Sequence, residues 1–501
     1  PVMSAPDTAQ SPPPPTARAV IAERLRRLDD ETLELLRYAS VEGETFSTLL
    51  LAKISEVGRL AMLRLLRRAE SDHRIIKSLG KQTVYGSETT LYRFDHELIR
   101  QTLYESLGEE EREVVHEAML DVLVAEAEKL RESGEMIREL GPRIAAHADI
   151  LGRYRQAAEA ALEGAESCWL EYAVDESLRL VDSAIRFVEK AQQQTAFDQD
   201  LAAIEARARR TMGRILRYKG EYEQALPIVE QALAAAERSE EIHQIVGALI
   251  DRVGSLRYLE RHDEAERSVR EALERAVAED FSQGQAGALN ALGTILHSQG
   301  NHQEAVDCYL QAIDLQRERD SGAEMAKSYS NLGNAFKALG DTAEASRCYQ
   351  KSLEFAAESD SIISYGVALL HLGNVAPRDG DPKEAIGYYE ESREIGERIG
   401  HRELAYVSST NLAAICRESG RLDEADTWVE AMGDHAGRSA PPRLMAEIAL
   451  ERGRCAAARA AGISGEQADR LLATARASFL ESAQILRKSG RSDDADQVER
   501  Y

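Results

Sequence analysis

Apolar residues in this chain recur with helical spacing, and from residue 201 onward the helical pattern itself recurs, in columns 40 residues apart. One column holds Ala225, Ala265, Ala305, Ala345, Ala385 and Ala425. A second holds Gly213, Gly293, Gly333 and Gly373, and a third holds Val229, Val269, Tyr309, Tyr349, Tyr389 and Val429. A short turn punctuates each unit. Gly300-Asn301-His302-Gln303-Glu304-Ala305 returns as Gly340-Asp341-Thr342-Ala343-Glu344-Ala345, as Gly380-Asp381-Pro382-Lys383-Glu384-Ala385 and as Gly420-Arg421-Leu422-Asp423-Glu424-Ala425. Gly220-Glu221-Tyr222-Glu223-Gln224-Ala225 precedes them, and Arg261-His262-Asp263-Glu264-Ala265 is a copy without the glycine. Glycine tolerates the left-handed end of one helix, and aspartate can cap the next. Each unit therefore predicts two helices; in the fourth they run Ala323–Leu339 and Thr342 to about Ala357. A fixed period of this length means stacked helical pairs, an all-α solenoid, and not a single globular core.

The Leu-Gly, turn and Glu-Ala columns together resemble the tetratricopeptide pattern, with helices longer than the usual unit. They predict a tetratricopeptide-repeat superhelix of about 7 repeats of 40 residues, six of them regular across 201–436. Residues 437–501 predict a divergent repeat and a C-terminal cap, beginning near Arg443 after Pro441-Pro442. Its second helix, about Gln467–Lys488, is displaced by the insertion Ala461-Gly462-Ile463-Ser464-Gly465, and Gly490 opens a last half-unit.

The periodicity differs ahead of the array. Residues 1–16 hold Pro1, Pro6 and Pro12-Pro13-Pro14-Pro15 among Ser, Thr and Gln, a linker or tail. Within 17–107, helical spacing over Ala17–Leu28, Glu31–Ala39, Phe46–Ile54 and Gly58–Arg68 gives way to strand-like Arg74–Lys77 and Leu91–Phe94. Helices followed by a β-hairpin are the layout of a small winged-helix domain. Asp95 is the expected N-cap of the next helix, whose apolar face is Phe94, Leu98, Ile99, Leu103 and Leu107. Residues 108–200 predict a helical bridge with degenerate repeats: Glu109–Leu130, a repeat-like turn at Gly152–Ala157, a helix from Tyr172–Ser177, and a polar joint at Gln192–Gln199.

Charge narrows the function. The chain has 62 Lys and Arg against 87 Asp and Glu, a net −25, which argues against general binding to nucleic acid or anionic membrane. Its five cysteines are scattered, without a CxxC pair, and the simplest reading is a reduced, cytoplasmic compartment. No apolar run is long enough to span a membrane, and no signal peptide is visible. The chain begins at Pro1 and not at Met, so a piece of something longer is expected.

The segment Arg93-Phe94-Asp95-His96-Glu97-Leu98-Ile99-Arg100-Gln101-Thr102-Leu103-Tyr104-Glu105-Ser106-Leu107, placed after the winged-helix pattern and before helical repeats, resembles the regulatory part of STAND-type signal-transduction ATPases. These include bacterial transcription activators. The resemblance covers about residues 17–190. It implies the order nucleotide-binding domain, winged helix, repeats, and it implies that His96 touches the β-phosphate of bound ADP in the intact protein. The histidine aligns with the Met-His-Asp motif of related members, but here Asp95 and Glu97 flank it. The simpler reading is a histidine in the first helical turn bonded to nearby backbone. No nucleotide-binding domain is recognisable in this chain. The nearest string to a phosphate-binding loop, Gly80-Lys81-Gln82-Thr83, has Ile75 and Gln82 where the motif needs Gly and Ser or Thr.

Candidate chemistry in the array lies on the first helices, two places before the glycine column and one after it. The first set is Thr211, Asp251, Ala291, Asn331, His371 and Asn411; the second is Arg214, Gly254, Thr294, Asn334, Asn374 and Ala414. Asn331, Asn334, His371, Asn374 and Asn411 form a polar ladder, with Asn290 and Lys327 beside it. An amide both donates and accepts, so such a ladder can pair with the backbone of an extended peptide; alternatively the asparagines bond within the repeats or face water. Lys327 and Lys337 are the candidates for gripping a terminal carboxylate.

No catalytic set stands out among the scattered histidines and surface carboxylates, and neither cofactor nor metal is expected. The sequence therefore predicts a non-catalytic regulatory or sensor arm. It would bind a protein or peptide in the repeat groove and control an adjoining STAND ATPase or effector module. The alternatives are a free-standing adaptor scaffold and a transcription regulator contacting DNA through Arg59, Arg64, Arg67 and Arg68 ahead of the hairpin.

Overall fold

The structure, a computed structural model, describes residues 15–55, 57–84, 87–133, 136–195, 198–376, 382–436, 442–488 and 491–500. The proline-rich tail up to residue 14, the turn glycines Gly380 and Gly490, and Pro441 lie outside the described residues. The chain forms two compact units. The first runs to Ile215 and includes Ile228–Gln244; the second comprises Leu216–Pro227 and Ile245–Tyr501.

The first unit begins α1 (Pro15–Leu25), α2 (Asp30–Glu42), β1 (Thr45–Ser47), α3 (Thr48–Ile54), α4 (Arg59–Ser71), β2 (Ile76–Val84), β3 (Ser87–Phe94) and α5 (Glu97–Ser106). The strands make an antiparallel sheet in the order β1-β3-β2. Sequence periodicity missed β1 because three residues are too few to show alternation. The second strand starts later than expected: Arg74 takes a left-handed φ of 52°, and the ladder begins at Ile76. Phe46, Tyr92 and Phe94 stack on the inner face of the sheet, over Leu36, Met62, Leu66, Ile99 and Leu103. The expected apolar face of α5 is thus buried, apart from partly covered Leu98.

The bridge is helical: α6 (Glu109–Glu132), α7 (Leu140–Ile150), α8 (Tyr154–Leu170), α9 (Val174–Gln194) and α10 (Gln199–Tyr218). The expected polar joint narrows to the link between α9 and α10. Two ion pairs tie the bridge to the sheet-bearing part. Buried Glu42 accepts from Arg143 at 3.0 Å and from the Ser47 N–H, and Lys53 meets Glu126.

After α11 (Tyr222–Ser239), α12 (Ile242–Tyr258) meets α13 (His262–Ala278) through Arg252, which bonds Ser268 and pairs with Glu264, and helices then pair in sequence: α14 (Ser282–Ser298) with α15 (His302–Glu318), α16 (Gly322–Ala338) with α17 (Thr342–Glu358), α18 (Ile362–Val375) with α19 (Lys383–Ile399), and α20 (Arg402–Glu418) with α21 (Leu422–Ala436). The chain ends with α22 (Pro442–Ala461), α23 (Glu466–Lys488) and α24 (Ser492–Val498). This is an all-α tetratricopeptide-repeat superhelix. Every member of the alanine column is fully buried, where helices approach too closely for a larger side chain.

The turns explain the period. Asn301, Asp341 and Arg421 donate backbone N–H bonds to Leu296, Phe336 and Cys416 at 2.9, 2.9 and 2.8 Å, the six-to-one bond that a left-handed residue permits. Gly300, Gly340 and Gly420 supply that residue at φ 86°, 86° and 75°. Where the glycine is missing, Glu260 adopts φ 58°. The connections between units use the same device: Phe281, Ser321 and Ser361 bond to Ala276, Gln316 and Ala356 through left-handed Asp280, Asp320 and Asp360. Aspartate enters this region more readily than most residues. As expected, the Asp341 carboxylate caps α17 by accepting from the Glu344 N–H at 3.0 Å.

Candidate functional site

The ladder lies on α14, α16, α18 and α20, all within the second unit. Positions three apart on a helix share a face, so Asn331 with Asn334, and His371 with Asn374, line one side. Neighbouring first helices join through these side chains. Asn331 Nδ2 donates to Asn290 Oδ1 at 3.1 Å and Asn411 Nδ2 donates to Asn374 Oδ1 at 3.0 Å. Asn334 Nδ2 and His371 Nε2 stand 3.5 Å apart. Asn290 with Asn331, Asn334 with His371, and Asn374 with Asn411 are therefore brought together, and both proposed columns take part. Asn290 is buried and the others are half-buried.

A second layer orients the amides. Tyr349 donates its hydroxyl to Asn334 Oδ1 at 2.8 Å, and Tyr389 donates to Asn374 Oδ1 at 2.9 Å. In the preceding unit Tyr309 donates to Thr294 Oγ1 at 3.3 Å. Each tyrosine ring crosses a glycine to reach its acceptor: a Cβ on Gly293, Gly333 or Gly373 would lie 2.7, 2.4 or 2.6 Å from the ring. The glycine column thus makes room for a phenol whose hydroxyl emerges at the ladder. Sequence reasoning assigned the tyrosines to packing alone. The missed signal was their correlation with the ladder: tyrosine occurs where Thr294, Asn334 or Asn374 stands fifteen residues earlier, and valine where Arg214, Gly254 or Ala414 does.

These bonds leave amide groups available. Among the described residues no partner takes Asn374 Nδ2 or the Oδ1 atoms of Asn331 and Asn411. His371 stacks on Tyr349 with centroids 5.0 Å apart. Its partial burial, with Lys337 nearby, pushes its pKa down to about 4, so near pH 7 the imidazole is neutral and acts as one more donor–acceptor. Lys327 and Lys337 are exposed on α16. The array face is therefore neutral over three units, with cations at its side.

One unit earlier the same columns are ionic. Arg217 lies over Gly254, where a Cβ would meet its Nη1 at 1.8 Å. It donates to the Asp251 carboxylate at 2.9 Å and to the Asp251 carbonyl at 3.0 Å.

His96 belongs to the first unit. It, and not Asp95, is the N-cap of α5: its Nδ1 accepts from the Leu98 N–H at 3.1 Å. Asp95 is displaced because its own N–H bonds to the Ile75 carbonyl, which keeps it in the strand edge. His96 is exposed, so Nε2 faces outward. On α4, Arg59, Arg64 and Arg67 are exposed, and Arg68 pairs with Asp29 at 3.3 Å.

The first unit also holds a buried polar relay that the sequence did not announce. The Tyr104 hydroxyl and His116 Nε2 are 3.0 Å apart, and His116 Nδ1 and His147 Nδ1 are 2.8 Å apart. Burial pushes the two histidines down to about 4 and about 3. The relay is satisfied when both are neutral and Tyr104 donates to a His116 whose Nδ1–H points at His147.

Comparison with known proteins agrees with the architecture. Tetratricopeptide repeat models match residues 244–318, 284–358 and 365–431, and a second such model matches 211–242. No curated protein matches the chain at a significant level. Among solved structures, the chain is similar to a signal transduction ATPase with numerous domains (STAND) protein with a tetratricopeptide repeat sensor from Pyrococcus horikoshii. The identity is 15% and the TM-score 0.57, over 99% of this chain and 68% of that one. The apo form of the quorum sensor NprR from B. thuringiensis matches at 16% identity and a TM-score of 0.48, over 67% of this chain and 91% of that one. At 15% identity the likeness to the first is one of fold. Among the described residues no helix is long and apolar enough to cross a membrane.

Proposed function

We propose that the amide face of α14, α16, α18 and α20 captures a protein segment or peptide in extended conformation, and that the chain is the regulatory arm of a STAND-type ATPase or effector. The observation that carries the first part is the set of oriented, incompletely used amides: Asn374 Nδ2 can donate, and Asn331 and Asn411 can accept, as a peptide backbone requires. Packed first helices lie about 10 Å apart, so each rung would serve about three residues of extended chain. The neutral face suits main-chain amides, and exposed Lys327 and Lys337 suit an acidic side chain or chain end.

The second part draws support from the likeness to the STAND sensor structure and from the helix–strand order of residues 15–106, which we read as a winged helix. His96 would then meet a nucleotide phosphate through Nε2, the nitrogen its capping bond leaves outward, once a nucleotide-binding domain is present. Exposed Arg64 and Arg67 support a second reading, DNA contact through α4.

The test is selection of binders from an unbiased library of displayed peptides. Asn331→Ala with Asn374→Ala should weaken selected peptides about tenfold or more, the loss expected of one to two hydrogen bonds, with the helical circular-dichroism signal retained. Unchanged affinity would remove the ladder from the binding site. Salt-sensitive retention of duplex DNA, abolished by Arg64→Ala with Arg67→Ala, would favour the second reading.

A further inference from the structure

In a stack of repeats each unit normally touches only its neighbours. The second unit departs from this. The Tyr218 hydroxyl, on the last residue of α10, donates to the carbonyl of Ile399 at 3.0 Å across 181 residues. The same ring meets His401 edge-on, with centroids 4.7 Å apart and planes at 70°. His401 is itself fixed, because its Nδ1 caps α20 by accepting from the Leu404 N–H at 3.2 Å. Beside it, Tyr222 stacks on Tyr258 with centroids 4.1 Å apart and planes at 8°. Burial, and after it the Glu403 carboxylate, raises the pKa of both phenols and keeps them protonated. A separate contact, Arg491 with Glu260, joins the last helix of the chain to the turn after α12.

We propose that these residues form a latch that holds the repeats of the second unit at one curvature and thereby gates access to the amide face. The latch encloses α12 to α19, and with them Asn290, Asn331, Asn334, His371 and Asn374. Curvature in a repeat array is a sum of small rotations at successive interfaces. A contact between its ends fixes that sum, and no single interface can open while the ends stay joined. The polar bonds of the latch are individually weak: a phenol-to-carbonyl bond and a half-exposed ion pair are worth about 1 kcal/mol each. A latch of this strength opens on ligand binding, as hinge and shear closures do. The gating role rests on the proposed function of the amide face; the latch itself does not.

The test therefore uses no ligand. Tyr218→Ala with Glu260→Arg, in the full chain, should increase the radius of gyration in solution scattering while leaving helical content unchanged. In an Asn331→Cys background the same changes should speed labelling by a bulky maleimide several-fold, with half-buried Cys308 as an internal reference of constant rate. Two milder variants guard against misfolding. Tyr218→Phe keeps the ring and removes the hydroxyl bond, and Glu260→Arg with Arg491→Glu restores the ion pair in reverse. The first should label at an intermediate rate and the second at the original rate. Superimposable scattering curves would overturn the latch. A larger radius with unchanged labelling at position 331 would overturn the gate. Failure to select any peptide would count against the proposed function and leave both of these results standing.

Discussion

Between α12 and α13 the glycine column holds Val253 and the tyrosine column Val269; between α16 and α17 the same two places hold Gly333 and Tyr349. Both pairs are buried, and both fill the space between the helices of a unit. Two valines fill it with hydrocarbon alone. Glycine and tyrosine fill it and also carry a hydroxyl to the ladder face, where Asn334 receives it. The face then differs to match: an Arg217–Asp251 ion pair over Gly254 in the first case, neutral amides in the second. Core and groove are thus coupled column by column. Thr294, Asn334 and Asn374 each have a phenol behind them, and each phenol needs a glycine.

That coupling breaks most visibly if the core is exchanged on one side only. Tyr349→Val should cost about 3 kcal/mol, through a cavity beside Gly333 and a lost hydroxyl. Adding Gly333→Val, which recreates the Val253–Val269 pair, should recover a large part of it. A double-mutant cycle by denaturant unfolding measures the coupling, and simple additivity would sever core from groove.

Next in size is Asn374→Ala. It strands the Tyr389 hydroxyl and the Asn411 amide together and should cost about 2 kcal/mol. Asn331→Ala, which removes a donor to Asn290 alone, should cost about 1 kcal/mol. Equal effects in thermal melts would contradict the network.

In the ionic unit, Asp251→Asn should cost about 1 to 2 kcal/mol, since Arg217 keeps its bond to the Asp251 carbonyl. The wild-type margin over this variant should shrink as salt is raised, whereas the margin over Asn374→Ala should not.

The smallest effect concerns pH. The His371 pKa is depressed to about 4 in the folded chain, against an ordinary value of 6.5, so its contribution is complete above 6.5. The unfolded chain takes up the proton first. The contribution declines as pH falls below 6.5 and is lost as pH passes through 4. His371→Asn should flatten that part of the stability profile relative to wild type, and an unchanged slope would argue against a neutral ladder.

The array was legible because its constraints repeat. Ala225 to Ala425 and the turn glycines recur at one spacing, and no other element class produces it. The ladder positions could be counted from the glycine column, and Asn331, His371 and Asn411 do fall in line. What the sequence hid was pairwise or distant. The tyrosine hydroxyls matter only in combination with the residues they reach, and the bond from Tyr218 to Ile399 follows no local rule. At the N-terminal end, β1 was too short to show a period. His96 outcompeted Asp95 as the cap because the Asp95 backbone was already engaged by Ile75. Short polar side chains compete for a helix end, and tertiary bonding decides the winner.

Left-handed residues at 220, 260, 300, 340 and 420 recur at the repeat spacing among the described residues, each followed by the same six-to-one backbone bond. They make the chain editable in whole modules. A unit of 40 residues could be duplicated or excised between equivalent residues with its caps and its alanine, glycine and tyrosine register intact. Such an edit would lengthen or shorten the ladder by one rung, yet shift Tyr218 out of reach of Ile399. Array length can therefore drift freely by recombination only in chains that do without that long-range bond; here the count of modules between the two residues is itself a dimension of the structure.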